Sequence, residues 1–498
     1  MKEIDLIFHK YDAETATDSI FTDLGLDALE KTVFEKDALL FSIFKEIIST
    51  PLVKKEEILE RQNILKDFLK YPDFVNELND MCVSAPERRI PPLRSIYSSI
   101  TPREKLAEYL DTTDKAIAIT TDLNEIFEGK QFASSLLSDF QSQLANHKQY
   151  EDFKAQLNKM SHYWTDGDMT LAVEYLDTFK FKHATLESTE AKIPSDLKKA
   201  FSIKGLFSKG QADDSIQYGE SVLKYVYDEV YKSTTLNICS MISHINAHIL
   251  TVCEHLAKQT AFYMASMKII DYLKQNNYPY SFPEFTNGGA IRTKGIIDLS
   301  LAVQTDRDKI IDNNLDDKNG NVLVITGPNQ GGKTSFLKAL GIAQLFAQGG
   351  IIVPAESYTS PVYKGIVTHF PREEDSALNF GKLAEELTRL RVDFPKLVNG
   401  GLMLMNESFA TTTEHEGCDI ARDVIRACTK SGSTVIFVTH FHDIPNNIDE
   451  LNSQLFNGAK AISMIATFAK NDGKIEYSYK IEEGKPQPHI FAMEFLKK

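Results

Sequence analysis

Through most of the first 280 residues, apolar positions recur at three- and four-residue spacing. Leu39–Ile48 and Ile58–Leu69 follow this pattern, which predicts helices with one buried face. Pro51, Pro72, Pro86, Pro91, Pro92 and Pro102 cut the early part into short helices, after which prolines become rare. The longest periodicity lies in Ser233–Gln275, where Ile238, Ile242, Ile245, Ile249, Val252 and Leu256 are continued by Tyr263, Met267 and Ile270. No proline or glycine interrupts it, so it predicts one long helix packed along a neighbour and stiff enough to transmit motion. His244, His248 and His255 on this helix read as polar-face or packing residues rather than metal ligands.

The pattern changes after Tyr278–Pro283 and Asn287-Gly288-Gly289, a turn-rich stretch that marks a boundary between residues 1–280 and 281–498. Beyond it, short apolar runs alternate with helical patterns over 333–347, 381–392 and 415–429. The runs are Ile291–Leu301, Val322–Ile325, Ile351–Pro354, Gly365–Thr368, Leu402–Met405, Thr434–Thr439 and Ile462–Phe468, and residues 474–481 alternate like a late hairpin strand. Such alternation means a sheet covered by helices. The fold class expected is therefore α plus α/β: an all-helical N-terminal domain with long helices, then an α/β domain.

Three of these runs end in chemistry. After Val322–Ile325, Gly327-Pro328-Asn329-Gln330-Gly331-Gly332-Lys333-Thr334 fits the G-x-x-x-x-G-K-[ST] phosphate loop, and Ser335 opens a helix. In that setting backbone N–H groups turn around phosphate oxygens, aided by the positive end of the helix. Lys333 is placed to reach the β- and γ-phosphates, and the Thr334 hydroxyl to hold Mg²⁺. Leu402–Met405 ends in Asn406-Glu407, a Walker B pattern in which Asn replaces the usual metal-binding Asp. Asn406 is a weaker, neutral metal ligand, and Glu407 is positioned to orient or deprotonate water. Thr434–Thr439 leads to His440, which reads as a γ-phosphate or water contact.

Composition narrows the picture. A chain of 498 residues, 42% hydrophobic and 25% charged, supports two or three domains. The net charge of −15 excludes a protein coated in positive potential for nucleic acid, although a local basic patch remains possible. Between Lys180 and Lys209 lysines outnumber acids and Phe179, Phe181, Phe201 and Phe207 are interleaved. This segment reads either as a basic tip touching a phosphate backbone or as an ordinary solvated turn. The five cysteines form no C-x-x-C pair, and no secretory signal or membrane-spanning run is seen, so a reducing cytoplasm is expected.

These motifs resemble those of the MutS family of mismatch-repair ATPases. Thr326–Ser335 is similar to its phosphate loop, Ile352-Val353-Pro354-Ala355-Glu356-Ser357 to the segment after its first helix, Leu402–Ser408 with Thr411-Thr412-Thr413 to its Walker B strand and turn, and Val438–Ile444 to its histidine segment. The resemblance covers about residues 320–445 and implies an ABC-like ATPase domain at 281–498, using ATP and Mg²⁺. It also implies a core, lever and clamp-like helical domain at 1–280, a homodimer, and distorted or branched duplex DNA as partner, with no membrane. The chain departs from the pattern in five places. The helical region begins almost at once, without room for the family's mismatch-reading module. Asn406 replaces Asp. Gly381 stands where a signature Ser would act on the partner's nucleotide, and Ile310 and Ile311 stand where an aromatic would stack on adenine. The C-terminal end leaves little room for an added dimerising helix-turn-helix.

The leading expectation is an ATPase that couples nucleotide turnover to DNA binding in mismatch repair or related DNA metabolism. The alternative is a nucleotide-gated scaffold with weak hydrolysis acting on a protein or RNA partner, which Asn406 and the acidic balance favour.

Overall fold

The structure is a computed structural model and describes residues 4–8, 15–88, 102–145, 152, 155, 169–175, 181–189, 220–288, 291–316, 321–372, 381–471 and 474–486. The chain divides into two compact units. The first comprises Met1–Ile4, Glu77–Gln131 and Leu137–Ala257, and the second Asp5–Asn76, Phe132–Leu136 and Lys258–Lys498.

In the first unit, helices Pro102–Phe127 and Ser135–Ala145 are joined by an edge-on contact of Phe127 and Phe140, with ring centroids 5.4 Å apart. The predicted long helix is present as Glu220–Gln275, 56 residues, and its last part, from Lys258, belongs to the second unit. Most of its apolar seam is buried: Ile242, Ile249, Val252, Leu256, Tyr263 and Ile270 are buried, Ile245 and Met267 are half-buried, and His244, His248 and His255 are exposed. Among the described residues no His, Cys, Asp or Glu cluster can hold a metal. Asn246 is buried on the seam and donates to Thr112 Oγ1 at 3.1 Å, a polar bond that pins helix register.

The reading of residues 1–280 as all-helical fails at one place. Strands β1 (Met169–Tyr175) and β2 (Phe181–Thr189) form an antiparallel hairpin. The first third of the basic Lys180–Lys209 segment is thus a strand, and its remainder lies outside the described residues.

The second unit is built on strands β3 (Glu284–Thr286), β4 (Arg292–Ile296), β5 (Asn313–Asp316), β6 (Val322–Thr326), β7 (Ser357–Pro361), β8 (Ile366–His369), β9 (Leu402–Asn406), β10 (Thr434–Val438), β11 (Ala461–Asn471) and β12 (Lys474–Glu483). They form two sheets, a six-stranded one in the order β12-β11-β6-β10-β9-β8 and a four-stranded one in the order β3-β7-β4-β5. The six-stranded sheet is parallel except for β12, which pairs antiparallel with β11. Every residue of β6, β9 and β10 is buried, as β-branched and apolar runs covered on both faces must be. The run Ile291–Leu301 splits into β4 and a short helix, Leu299–Ala302, capped by Asp298. The strand expected at Ile351–Pro354 is not formed: the segment is buried and makes an isolated bridge, Val353 to Ser281, and the chain enters the four-stranded sheet only at Ser357.

The early helices complete this unit. Ala16 bridges to Ile366 in parallel and covers the β8 edge. Phe44 meets Phe346 at 5.9 Å and Phe262 at 6.1 Å. Arg61 is fully buried and donates to the carbonyls of Ile7 and Gly349. Burial lowers its pKa to about 10, and the carbonyl at the C-terminal end of helix Lys333–Gln348 offsets its charge. No helix among the described residues is long and apolar enough to cross a membrane, and all five cysteines are free and buried.

Candidate functional site

The site forms where β6 ends. The chain turns at Gly327 with φ +136°, and a Cβ there would sit 2.8 Å from the Cβ of Ala466, so the turn requires glycine. Gln330 and Gly332 are left-handed, with φ of +64° and +90°, and helix Lys333–Gln348 starts immediately after them. The loop therefore delivers the N-terminus of a 16-residue helix to a cleft of about 500 Å³. That volume suits a nucleotide-sized ligand.

Asn329 to Ser335, Glu407 and His440 line this one cleft. Gly327, Pro328 and Asn406 do not line it and act through their neighbours. Lys333, 5% exposed, donates to Gly327 O at 3.0 Å and Pro328 O at 2.9 Å. Burial lowers its pKa, and the charge of Glu407 opposes that shift. The Thr334 hydroxyl donates to Asn406 Oδ1 at 3.2 Å, which brings a hydroxyl and an amide oxygen together at the end of β9. His440 Nε2 lies 2.7 Å from Glu407 Oε1. That hydrogen bond, with the charge of Lys333 adding to it, holds the Glu407 carboxyl below the usual range against the opposing effect of burial. Glu407 is itself left-handed, with φ +49°.

Ile296, Leu301, Ile310 and Ile311 give the cleft an apolar end. An aromatic residue also reaches it from β12. Tyr479 lines the cleft, and its carbonyl accepts from Asn313 Nδ2 at 3.1 Å. The alternation of residues 474–481 showed a strand but carried no sign that this residue would face the loop. Gly381 is exposed at the start of helix Lys382–Asp393 and is not part of the cleft.

A second set of residues lies behind Glu407. His369, at the end of β8, is buried, with Nδ1 2.7 Å from Ser408 Oγ and Nε2 3.2 Å from Glu386 O. Its ring lies against Phe409 at 5.4 Å. Burial pushes its pKa from 6.5 to about 4. The unfolded chain binds the proton more tightly, so this contribution to stability is complete above pH 6.5 and is lost as pH falls toward 4. At about 1.4 kcal/mol per pH unit the loss is about 3 kcal/mol. Denaturant unfolding at pH 7 and pH 4 should show the wild type losing about that much more stability than His369→Gln.

A strand–glycine loop–helix unit at the centre of a largely parallel sheet, with a carboxylate at the end of β9, one strand beyond the neighbouring β10, defines a P-loop nucleotide-binding domain of ABC-like type. Comparison with known proteins agrees. The family model described as MutS domain V matches residues 323–493, and that described as MutS2 N-terminal domain matches 53–276. MutS protein homolog 4 of Homo sapiens is 26% identical over 306 residues, covering 60% of this chain and 31% of the relative. The DNA mismatch repair protein MutS of Thermotoga petrophila is 24% identical over 377 residues, covering 73% and 43%. Endonuclease MutS2 of Listeria innocua is 30% identical over 196 residues, covering 39% and 24%. The chain belongs to the MutS family. The matched stretch is less than half the length of each of these three relatives.

Proposed function

We propose that this protein binds ATP with Mg²⁺, hydrolyses it, and couples turnover to DNA binding as a homodimer. The observation that carries the reading is convergence: the phosphate loop, the Thr334–Asn406 pair and the Glu407–His440 pair meet at one cleft. Mg²⁺ keeps most of its waters and takes few protein oxygens, so a hydroxyl and an amide oxygen at one point suit it. Thr334 and Asn406 would hold the ion, which would supply positive charge against the phosphates. The chain's own residues do the rest. Lys333 offers its ammonium to the phosphates, and the helix N-terminus adds its positive end. Glu407 accepts a hydrogen bond from the attacking water and takes its proton, while His440 fixes the carboxylate. Tyr479 and the isoleucines hold the base. No covalent intermediate is required.

The names of the relatives place them in mismatch repair and in endonuclease action on nucleic acid. In this reading residues 1–280 serve as core, lever and clamp, residues 281–498 as the ATPase, and Gly381 faces the partner's nucleotide. The five reduced thiols support a cytoplasmic setting. DNA is held by its backbone, in branched or distorted form.

The test is phosphate release with homoduplex, mismatched duplex, four-way junction or RNA, at two salt concentrations. Distorted duplex should stimulate hydrolysis, and higher salt should weaken its binding. Nucleotide binding with weak hydrolysis, and neither DNA binding nor stimulation by DNA, would favour the scaffold alternative, for which Asn406 argues.

A further inference from the structure

The turn after β9 is strained at two of three consecutive residues. Glu407 has φ +49° and Phe409 φ +65°, both in the left-handed region that residues with a Cβ avoid. Such a turn persists only where its surroundings over-determine it. Its partners come from separate elements. Glu407 N–H donates to Val438 O at 2.8 Å, and Ser408 Oγ lies 3.0 Å from His369 O. Phe409 N–H donates to Glu386 Oε2 at 2.8 Å, and Thr411 Oγ1 lies 3.4 Å from Glu386 Oε1. Both carboxylate oxygens of Glu386 are thus directed at this turn. Glu386 is only 8% exposed, on helix Lys382–Asp393, where an ionised side chain is costly to bury unless its hydrogen bonds are made. A neutral side chain would occupy the position at a lower desolvation cost, and the two bonds to the turn account for a carboxylate there.

We propose that Glu386 is a positioning residue for Glu407: its carboxylate grips the Phe409 amide and so keeps the left-handed turn that aims Glu407 into the cleft. The inference rests on the hydrolytic reading given above. It also makes helix Lys382–Asp393 a lever on the chemistry. Its first turn, at Gly381, is exposed, and a shift of the helix reaches the backbone next to Glu407 through one hydrogen bond.

The test compares Glu386→Ala, Glu386→Gln and Glu386→Asp in steady-state ATP hydrolysis and in equilibrium binding of a fluorescent ATP analogue. Gln keeps an acceptor oxygen at the same reach, whereas Asp keeps the charge but is one methylene short. Ala and Asp should lower kcat about tenfold or more, since a small misplacement of a reacting group is expensive in rate. All three should bind nucleotide within about threefold of wild type, and Gln should keep at least about a third of the wild-type kcat. Should Ala fail to fold, the Asp and Gln pair still decides. An Asp variant as active as wild type, or a Gln variant as impaired as Asp, would overturn the inference. So would losses of kcat matched by equal losses of binding. A wild type that hydrolyses no ATP would instead contradict the underlying reading.

Discussion

Lys333→Ala should weaken ATP binding by about 3 kcal/mol, roughly a hundredfold in Kd, without loss of fold. The reason lies in how the ammonium is held. It is nearly buried, its hydrogen bonds go to two neutral carbonyls, Gly327 O and Pro328 O, and the charge of Glu407 offsets the burial only in part. A buried cation with neutral acceptors is under-compensated, and a triphosphate supplies the missing charge. Deleting the amine removes that attraction at the one point where loop and helix converge. The ligand-free variant should melt no lower than wild type, because a charge costly to bury has gone. Lys333→Arg should fail similarly, since a planar fork does not fit where a compact ammonium sits. Fluorescent-nucleotide titration alongside thermal melts separates the two effects. Wild-type affinity in the Ala variant would remove Lys333 from the site.

Glu407→Gln should lower kcat by about two to four orders of magnitude while leaving ATP affinity equal or tighter. The amide preserves the shape and the contact with His440 but cannot take a proton. It also no longer repels phosphate, which is why binding should not suffer. The wild-type carboxyl is held below its usual range by the His440 hydrogen bond. Hydrolysis should therefore persist on the acid side until below pH about 4.3, the ordinary glutamate value, unless another group fails first. Single-turnover hydrolysis with saturating ATP reads the chemical step directly. A Gln variant turning over as wild type would assign the water to some other residue.

The parts of the fold visible in the sequence are those whose signals are local. The run Val322–Ile325, the glycines that follow and the helix after them lie within one short stretch, and strand, loop and helix occur there. The same holds for Leu402–Met405 with Asn406-Glu407 and for Thr434–Thr439 with His440. The seam of the long helix was legible because a repeat of threes and fours has one physical cause. The hairpin at residues 169–189 had a signal that the helical surroundings obscured: Met169, Leu171, Val173 and Tyr175 alternate with Thr170, Ala172 and Glu174. Other features had no local signal at all. Tyr479 meets Gly332, Arg61 meets Ile7 and Gly349, and Glu386 meets Phe409 only through chain folding. Glu386 looks in sequence like one more acid on an amphipathic helix, and Phe409 like one more core aromatic. Their backbone geometry and shared hydrogen bond become visible only once β8, β9 and the helix between them are assembled.

The most direct measurement is a crystal structure with a non-hydrolysable ATP analogue and Mg²⁺. The expected result is the triphosphate in the cleft at the start of helix Lys333–Gln348, with Lys333 Nζ moved from the loop carbonyls onto phosphate oxygen and Thr334 and Asn406 turned toward the metal. A cleft without nucleotide at saturating analogue, with Lys333 still bonded to Gly327 and Pro328, would contradict it.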